Sequence, residues 1–414
     1  MTLAGGPLAA PADRIATLDI IRGIAICGIL FINIWVMGSV SGVEYDARLS
    51  GWGILDQAVW WLQMVFVEGT MRGLLSLLFG AGFVLMSARA GAGRYFRRTL
   101  ILILLGAAHA WLLLWPGDIL FVYGIAGLLL YFVKDVDARP LVGAGIAILV
   151  FLAGLGLGGT AEVANMRALA EGAAAAGAQA DDARIVEWAD YRASLKPSAA
   201  KMERSLEARA GSFAENWHYK LGVSNDWMKP ESLVTLVLDA LAMMLIGAGL
   251  MKYGLLSGEA DADLYRWMLV AGYGFGIPIS LAEWGQLYAA NFAHPNPILF
   301  YSDEIGRVAM TMGHLGLLLW LWRRGTGRRA LGIFAPVGRL ALTNYISQTL
   351  ICQGVLFPGF GLGLHARLSL SQLWGVALLI LLAQIAASHL WLRYFRFGPL
   401  EWLWRWGTYL RRPA

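Results

Sequence analysis

Charge is the scarcest ingredient of this 414-residue chain: Asp, Glu, Lys and Arg make up 15% of it, hydrophobic residues make up 58%, and the mean hydropathy is +0.59. Soluble domains hold about half apolar and a quarter charged residues, so both departures exclude an ordinary water-soluble globule. The two cysteines, Cys27 and Cys352, fall in apolar runs, which argues against a disulfide framework or a cysteine-ligated metal. No His pair stands at i, i+4, and no metal site is expected. A phosphate-binding glycine loop and a nucleophile elbow are also missing; Gly80-Ala81-Gly82 lies inside an apolar run. Residues 1–17 lack a basic start and the first apolar run lacks a small-residue cleavage site, so that run is expected to stay as a helix.

What is present fits a bilayer. Fifty glycines allow close helix packing and eighteen tryptophans suit the membrane interface. The net charge of +5 comes from basic residues in short clusters between apolar runs, the layout of cytoplasmic loops. A lipid bilayer is the expected partner, and nucleic acid is not. A spanning helix needs roughly 20 largely apolar residues. The stretches that qualify are 20–38, 70–89, 99–115, 118–133, 140–158, 231–250, 265–287, 304–322, 337–356 and 371–391. The expected fold is therefore an all-α polytopic membrane protein with about ten spans, multi-pass in the plasma (inner) membrane.

Lys and Arg mark the cytoplasmic side. Clusters occur at Arg14/Arg22, Arg89/Arg94/Arg97/Arg98, Lys134/Arg139, Lys252/Arg266, Arg323/Arg324/Arg328/Arg329 and Arg393/Arg396. Ten spans with a cytoplasmic N-terminus put all of them inside, and both chain ends with them. A full crossing by 52–67 would invert every later cluster. That stretch is read instead as a re-entrant or interfacial helix with Trp52, Trp60 and Trp61 as interface anchors. The chain divides into an N-terminal membrane half (14–158), an extracytoplasmic helical insert (159–230), a C-terminal membrane half (231–396) and an interfacial Trp-rich helix (397–412). The insert reads as a connecting helical hairpin or as a lid over an extracytoplasmic site. A homo-oligomer is left open.

Polar residues at membrane depth are costly and tend to face a protein interior or a cavity. In the first span, Arg22, Ile26, Ile29 and Asn33 share a face, and Asp19 stands one turn before Arg22. Arg22 to Asn33 is eleven residues, about 16 Å at 1.5 Å per residue. Arg98 and His109 repeat that spacing in the third span. A buried His bridges helices or acts as a general base, because its pKa lies near neutral. Asp118 follows a tight Trp115-Pro116-Gly117 turn, in N-cap position. Asp239 sits mid-span and has to be protonated or paired. Arg307 and His314 share a face, Glu283 and Gln286 lie near the end of the seventh span, and Glu68 and Arg72 bracket the start of the second. Arg339, Thr343, Asn344, Ser347 and Gln348 form a polar stripe.

Several blocks resemble the YeiB-type bacterial membrane proteins, a domain-of-unknown-function family. They are Arg14-x3-Leu18-Asp19-x2-Arg22-Gly23-x-Ala25-x2-Gly28-Ile29-x3-Asn33, Glu68-Gly69 with Leu75-Ser76-x2-Phe79-Gly80-Ala81-Gly82, and Gly106-x2-His109 with Gly117-Asp118-Ile119-Leu120-x2-Tyr123. Gly338-Arg339-x-Ala341-Leu342-Thr343-Asn344-Tyr345-x2-Gln348 and Gly398-Pro399-Leu400-Glu401-Trp402-Leu403-Trp404-Arg405 complete the set. They run in family order along nearly the whole chain, apart from 162–230. The Leu-Asp-x2-Arg-Gly opening is also similar to transmembrane acyltransferases such as the heparan glucosaminide N-acetyltransferases. Those enzymes use a membrane His to pass an acyl group from cytosolic acyl-CoA to an acceptor on the far side. The related acyltransferase-3 family has its catalytic His near the end of the first span; here Asn33 stands there, which leaves His109 as the candidate base.

The resemblance implies a transmembrane acyltransferase with acyl-CoA, acetyl-CoA among them, as co-substrate and no tightly bound cofactor. Arg22, Arg97, Arg98 and Arg339 would attract its phosphates. His109 would act as base, oriented by Asp118, Asp239 or Glu68, with Asn33, Asn344 or Gln348 on the oxyanion. The acceptor would be a lipid, a glycan or a small molecule, lined by Asn344, Gln348, His314 and Glu283. His109 is expected to line a cavity opening near Arg22 and Arg98, with Asn33 and one carboxylate nearby. The alternatives are a permease for a small organic solute that uses His109, Asp239, His314 and Glu283 as a proton relay, and a non-catalytic membrane partner. Reporter fusions test the topology: after Arg94, Lys134 and Arg328 they are expected to read cytoplasmic, and near Asp181 external. A cytoplasmic reading at Asp181 overturns the arrangement.

Overall fold

The computed structural model describes residues 15–43, 46–88, 91–194, 197–292 and 299–410, and these are helical with no strand among them. Arg14 and Arg89, named above, and the last two residues of the 397–412 tail lie outside the described residues. The helices are α1 (Ala16–Gly38), α2 (Ile54–Phe66), α3 (Thr70–Ser87), α4 (Ala92–Ala107), α5 (Leu120–Leu130), α6 (Ala138–Ala175), α7 (Ala183–Ser194), α8 (Ala199–Ala210) and α9 (Phe213–Trp227). There follow α10 (Pro230–Lys252), α11 (Ala262–Ala289), α12 (Leu299–Arg324), α13 (Arg328–Gly332), α14 (Ala335–Arg339), α15 (Ala341–Thr349), α16 (Leu370–Tyr394) and α17 (Pro399–Tyr409).

Among the described residues, six stretches are long and apolar enough to cross a bilayer: 16–38, 54–87, 138–175, 230–252, 304–324 and 370–394. The other expected spans fall short for visible reasons. The α4 helix has 16 residues before a π-helical turn, α5 has 11, and α15 has nine before a second π-helical segment. Pro278, Glu283 and several glycines dilute the hydropathy of α11. The stretch 54–87 is interrupted at Gly69, whose φ of +65° is left-handed backbone that glycine adopts without strain. At 13 residues α2 is about 20 Å long, too short to cross alone. Trp60 is not an interface anchor: it is 1% exposed, enclosed by Trp52, Trp61, Trp284, Tyr288 and Phe292.

Helices α1, α3 and α10 form the centre, with α10 also against α6 and α12 against both α11 and α3. Large apolar side chains are exposed on α6 (Val150, Phe151, Leu155) and α16 (Leu379, Leu382, Leu390), where lipid replaces protein as their neighbour. Separate basic clusters meet. The Lys252 ammonium donates to the carbonyls of Lys134 (3.0 Å) and Val136 (2.5 Å). The insert does not begin as a separate unit at 159, because α6 runs unbroken for 38 residues, about 57 Å. Its later helices return to the bundle: Arg209 on α8 donates to the Met37 carbonyl at the end of α1 away from Arg22.

The opening motif glycine of α1 is explained by contact. A Cβ on Gly23 would stand 2.0 Å from the Phe334 carbonyl oxygen, and one on Gly338 would stand 1.8 Å from that of Asp19. Both obstacles are backbone, so α1 and the start of α14 cross with no room for a methyl group. Gly338→Ala is expected to cost about 1–3 kcal/mol through forced backbone shifts, read as a lower thermal midpoint of the detergent-solubilised protein; an unchanged midpoint contradicts this packing.

Candidate functional site

The first feature is a cavity of about 300 Å³ lined by side chains from α1, α3, α4, α5, α14, α15 and α17. Arg22, Arg98, Arg339, Arg396 and Arg405 line it, together with Glu401, and its other walls are largely apolar, including Leu75, Phe79, Leu102 and Leu120. The three-residue spacing of Asp19 and Arg22 gives an ion pair at 3.1 Å. The Arg98 guanidinium lies 3.6 Å from the centre of the Trp404 ring, and the Trp404 indole donates to the Arg98 carbonyl at 2.9 Å. Glu401 accepts from the Thr343 amide at 3.0 Å and from its hydroxyl at 2.5 Å, which ties α17 to α15. The Trp-rich tail is thus a wall of the cavity. Arg97 is not brought to it; its guanidinium donates to the Thr408 carbonyl at 3.1 Å.

The second feature is a buried histidine. His109 has no exposed surface and sits in a π-helical turn, 108–112, that follows α4 directly. Such a turn places one extra residue in the helix, and the chain leaves it through Leu114 at φ +58°, an unfavourable backbone for leucine. His109 Nδ1 lies 2.7 Å from Asp118 Oδ1, and Nε2 lies 2.8 Å from the Thr349 hydroxyl. A carboxylate accepts, so Nδ1 carries the proton and Nε2 takes one from Thr349. Asp118 also caps α5, its Oδ2 accepting from the Phe121 amide at 2.7 Å. One carboxylate therefore bonds both the imidazole and the first turn of α5. Gly106 makes room for this: a Cβ there would stand 2.7 Å from Asp118 Oδ2 and 2.1 Å from the Phe121 nitrogen. Thr349 immediately precedes the second π-helical segment, 350–356.

His109 does not line the arginine cavity, which corrects the expectation above. Ile119, Tyr123 and Tyr345 line the cavity, and the Tyr345 ring packs edge-on against the imidazole with centroids 5.0 Å apart. Asn33 is buried on α1 and is likewise outside the lining. Asn344 donates to Val337 and Ser388, and Gln348 donates to Ile26 and Gln384, so both tie α15 to its neighbours rather than facing the cavity. His314 sits on the Phe66 carbonyl at 2.7 Å and Glu283 is buried beside Gly306, both apart from His109. Asp239 is paired: Arg307 bonds it directly and Arg72 approaches to 3.5 Å, while Arg307 also holds Glu304 at 2.5 Å. Glu68 stands beside Gly69, which packs on the Arg307 side chain.

Sequence reasoning missed Thr349, Tyr345, Arg396, Arg405 and the inward face of α9. Thr349 lies four residues beyond Tyr345 and directly after the block that ends at Gln348, and that adjacency is the signal that was there to find. For α9 the signal is a four-residue polar period, Asn216, Lys220 and Ser224, all buried.

The stretch 250–411 matches the family model described as a protein of unknown function, DUF418. The chain is 32% identical over 404 residues to the uncharacterized protein YeiB of Escherichia coli K12, covering 95% of this chain and 96% of that protein. It is 27% identical over 416 residues to the uncharacterized protein YxaH of Bacillus subtilis 168, covering 96% and 95%. An uncharacterized 39.9 kDa protein from the amylase 3′ region of Bacillus acidopullulyticus is 28% identical over 418 residues, covering 97% and 95%. No solved structure matches.

The Asp239 cluster yields a stability prediction. Asp239→Asn leaves Arg307 and Arg72 short of a buried counter-charge, and breaking such a buried pair costs about 3–5 kcal/mol. The expected outcome is a marked loss of folded protein after extraction, whereas Asp182→Asn, in a solvent-exposed pair with Arg184, is expected to be milder; equal yields contradict it.

Proposed function

Since this chain belongs to the YeiB-like family of unknown function, its own geometry has to suggest its activity, and we propose that it is a transmembrane acyltransferase. It passes an acyl group from cytosolic acyl-CoA to a lipid, glycan or small-molecule acceptor. The observation that carries the reading is the succession of parts: five arginines around an apolar cavity, ending one tyrosine ring away from a buried His–Asp pair. Multiple arginines suit the phosphates of the nucleotide, and a narrow apolar channel suits the pantetheine arm. At about 300 Å³ the cavity is at the small end of ligand pockets, so it takes the arm and leaves the nucleotide at the mouth. In this reading the arginine end is cytoplasmic, ten segments cross the inner membrane, both chain ends are inside, and the insert is external.

The chemistry follows from the hydrogen bonds. Asp118 fixes the tautomer, so Nε2 of His109 is the basic nitrogen, and the Thr349 hydroxyl marks where an acceptor O–H or N–H is to sit. His109 takes the acceptor proton as its oxygen or nitrogen attacks the thioester carbon. The C–S bond breaks, and the leaving thiolate recovers the proton from the imidazolium. For the thioester to reach Nε2, the Tyr345 ring has to swing out of the way, so the closed state keeps water and thioester apart. The permease reading is less supported by these contacts. Asp239 is held by Arg307 and Arg72 and His314 by the Phe66 carbonyl, while His109 has Asp118 and Thr349 as its own partners.

His109→Gln keeps bulk and one hydrogen-bonding edge but cannot take up a proton. It is expected to lower acyl transfer from labelled acyl-CoA to membrane lipids or glycans about 10²–10⁴-fold, with folded yield and acyl-CoA binding retained. Full transfer by the variant removes His109 from catalysis. Arg22→Gln and Arg98→Gln are expected to weaken acyl-CoA binding instead.

A further inference from the structure

The insert docks onto the end of the bundle away from Arg22, and among the described residues its contacts gather cations without an acid. Arg209, 3% exposed, donates to the Gln353 side-chain oxygen at 3.2 Å and to the Met37 carbonyl at 2.9 Å. Its carbonyl in turn accepts from Gly359 at 2.7 Å. On α9 the residues at four-residue steps, Asn216, Lys220 and Ser224, are all turned inward, at 5%, 7% and 0% exposed. The Ser224 hydroxyl donates to the Ala110 carbonyl at 2.8 Å, one residue beyond His109.

Among the described residues Lys220 has neither a hydrogen bond nor an ion pair. Burial, with Arg209 close enough to add to it, pushes its amine well below the ordinary lysine range. Burial and then the charges of Arg209 and Lys220 push His365 down to about 2. Among the described residues no carboxylate acts on Arg209, Lys220 or His365. Three polar atoms of the cluster are shielded from solvent and unpaired, Arg209 Nε, Gln353 Nε2 and Asn216 Oδ1, while the His365 imidazole lies against the Met37 backbone. Two buried cations side by side with idle donors are unfavourable in an empty protein, because each loses its hydration and repels the other. Hydrogen bonds to Met37 and Gln353 account for Arg209 as a structural clamp. They do not account for Lys220.

We propose that Arg209, Lys220 and Gln353, beside His365, form a binding site for a phosphate-class oxyanion. The donors offered are a guanidinium Nε–H, an ammonium and an amide NH₂, a set suited to an anion with several acceptor oxygens. That the anion is a group on the acyl acceptor rests on the acyl-transfer reading; the site itself does not. Lys220 is one helical turn, about 6 Å, from the Ser224 that touches the His109 turn. An acceptor held by its phosphate at Lys220 therefore lies along the face of α9 that leads to the base. A phospholipid headgroup and a soluble phosphate ester share this chemistry.

The test uses the full-length protein in non-ionic detergent, without acyl-CoA. The thermal midpoint is followed against inorganic phosphate, with chloride at equal ionic strength as control, and against micelles doped with phosphatidylglycerol or with phosphatidylcholine. Wild type is expected to gain a concentration-dependent rise from phosphate or from phosphatidylglycerol, as binding to the folded state requires. Lys220→Met is expected to lose that rise while its midpoint without anion equals or exceeds that of wild type; Lys220→Arg keeps the response. A rise with the lipid alone identifies a headgroup as the source, and a rise with free phosphate identifies a soluble ester. The proposal is overturned if neither probe shifts wild type, or if Lys220→Met responds as wild type does. A Lys220→Met chain that does not fold also contradicts it, since the ammonium is then needed without an anion. None of these readouts depends on acyl transfer, so the failure of either reading is seen separately.

Discussion

A polar or charged group carried into a low-dielectric interior has to find a partner there, and most of this protein's contacts can be derived from that requirement. The Asp239 carboxylate gathers Arg307 and Arg72, and through Arg307 reaches Glu304, so one charge on α10 fixes α3 and α12 around it. Gln348, Gln384, Asn344 and Ser388 pair among themselves and lock α15 to α16. His109 meets the same requirement with one partner on each nitrogen, from α5 and α15. Ligands are proposed at two places, the arginine-lined cavity and the cation cluster under the insert.

The geometry around His109 concentrates departures from regular helix. A π-helical turn carries the imidazole, a second such segment follows Thr349, and Leu114 is in left-handed backbone. Irregular backbone at membrane depth is tolerated where protein or a cavity surrounds it, and π-helical turns are frequent at functional sites. The insert adds to the same region, since Ser224 satisfies the carbonyl of Ala110 inside that turn. The arginine cavity, the His–Asp pair and the cation cluster thus follow one another from one end of the bundle to the other, with Tyr345 between the first two.

Much of this was legible in the sequence, and the failures have physical causes. Hydropathy locates the helices, because the need for apolar length is severe, and the Asp19–Arg22 pair follows from helical spacing. Asp118 could be read as a cap from its place after a tight turn, but its second oxygen on His109 depends on a fold-level approach of α4 and α5 through Gly106. Spacing arguments assume 3.6 residues per turn, so they carry no sign of the π-helical turn or of the tyrosine that lines the cavity. Arg97 and Arg98 look equivalent as letters; on a helix they are about 100° apart, and only Arg98 turns inward. The stripe at Asn344 and Gln348 has the composition of a binding face, yet interhelical bonding uses the same residues. Trp402, Trp404 and Trp406 mark an interfacial helix whether its partner is lipid or protein, and α17 meets α4 through Trp404 while leaving Trp406 exposed.

The central claim is that a cofactor gripped by the five arginines reaches His109 past Tyr345. An experimental structure of the protein with a non-transferable acyl-CoA thioether tests it most directly. The account predicts density for the phosphates among Arg22, Arg98, Arg339, Arg396 and Arg405, the pantetheine arm along the cavity, the Tyr345 ring displaced and the acyl carbon within reach of His109 Nε2. Phosphates bound elsewhere, or an arm that leaves sideways into lipid with Tyr345 still against the imidazole, would contradict it.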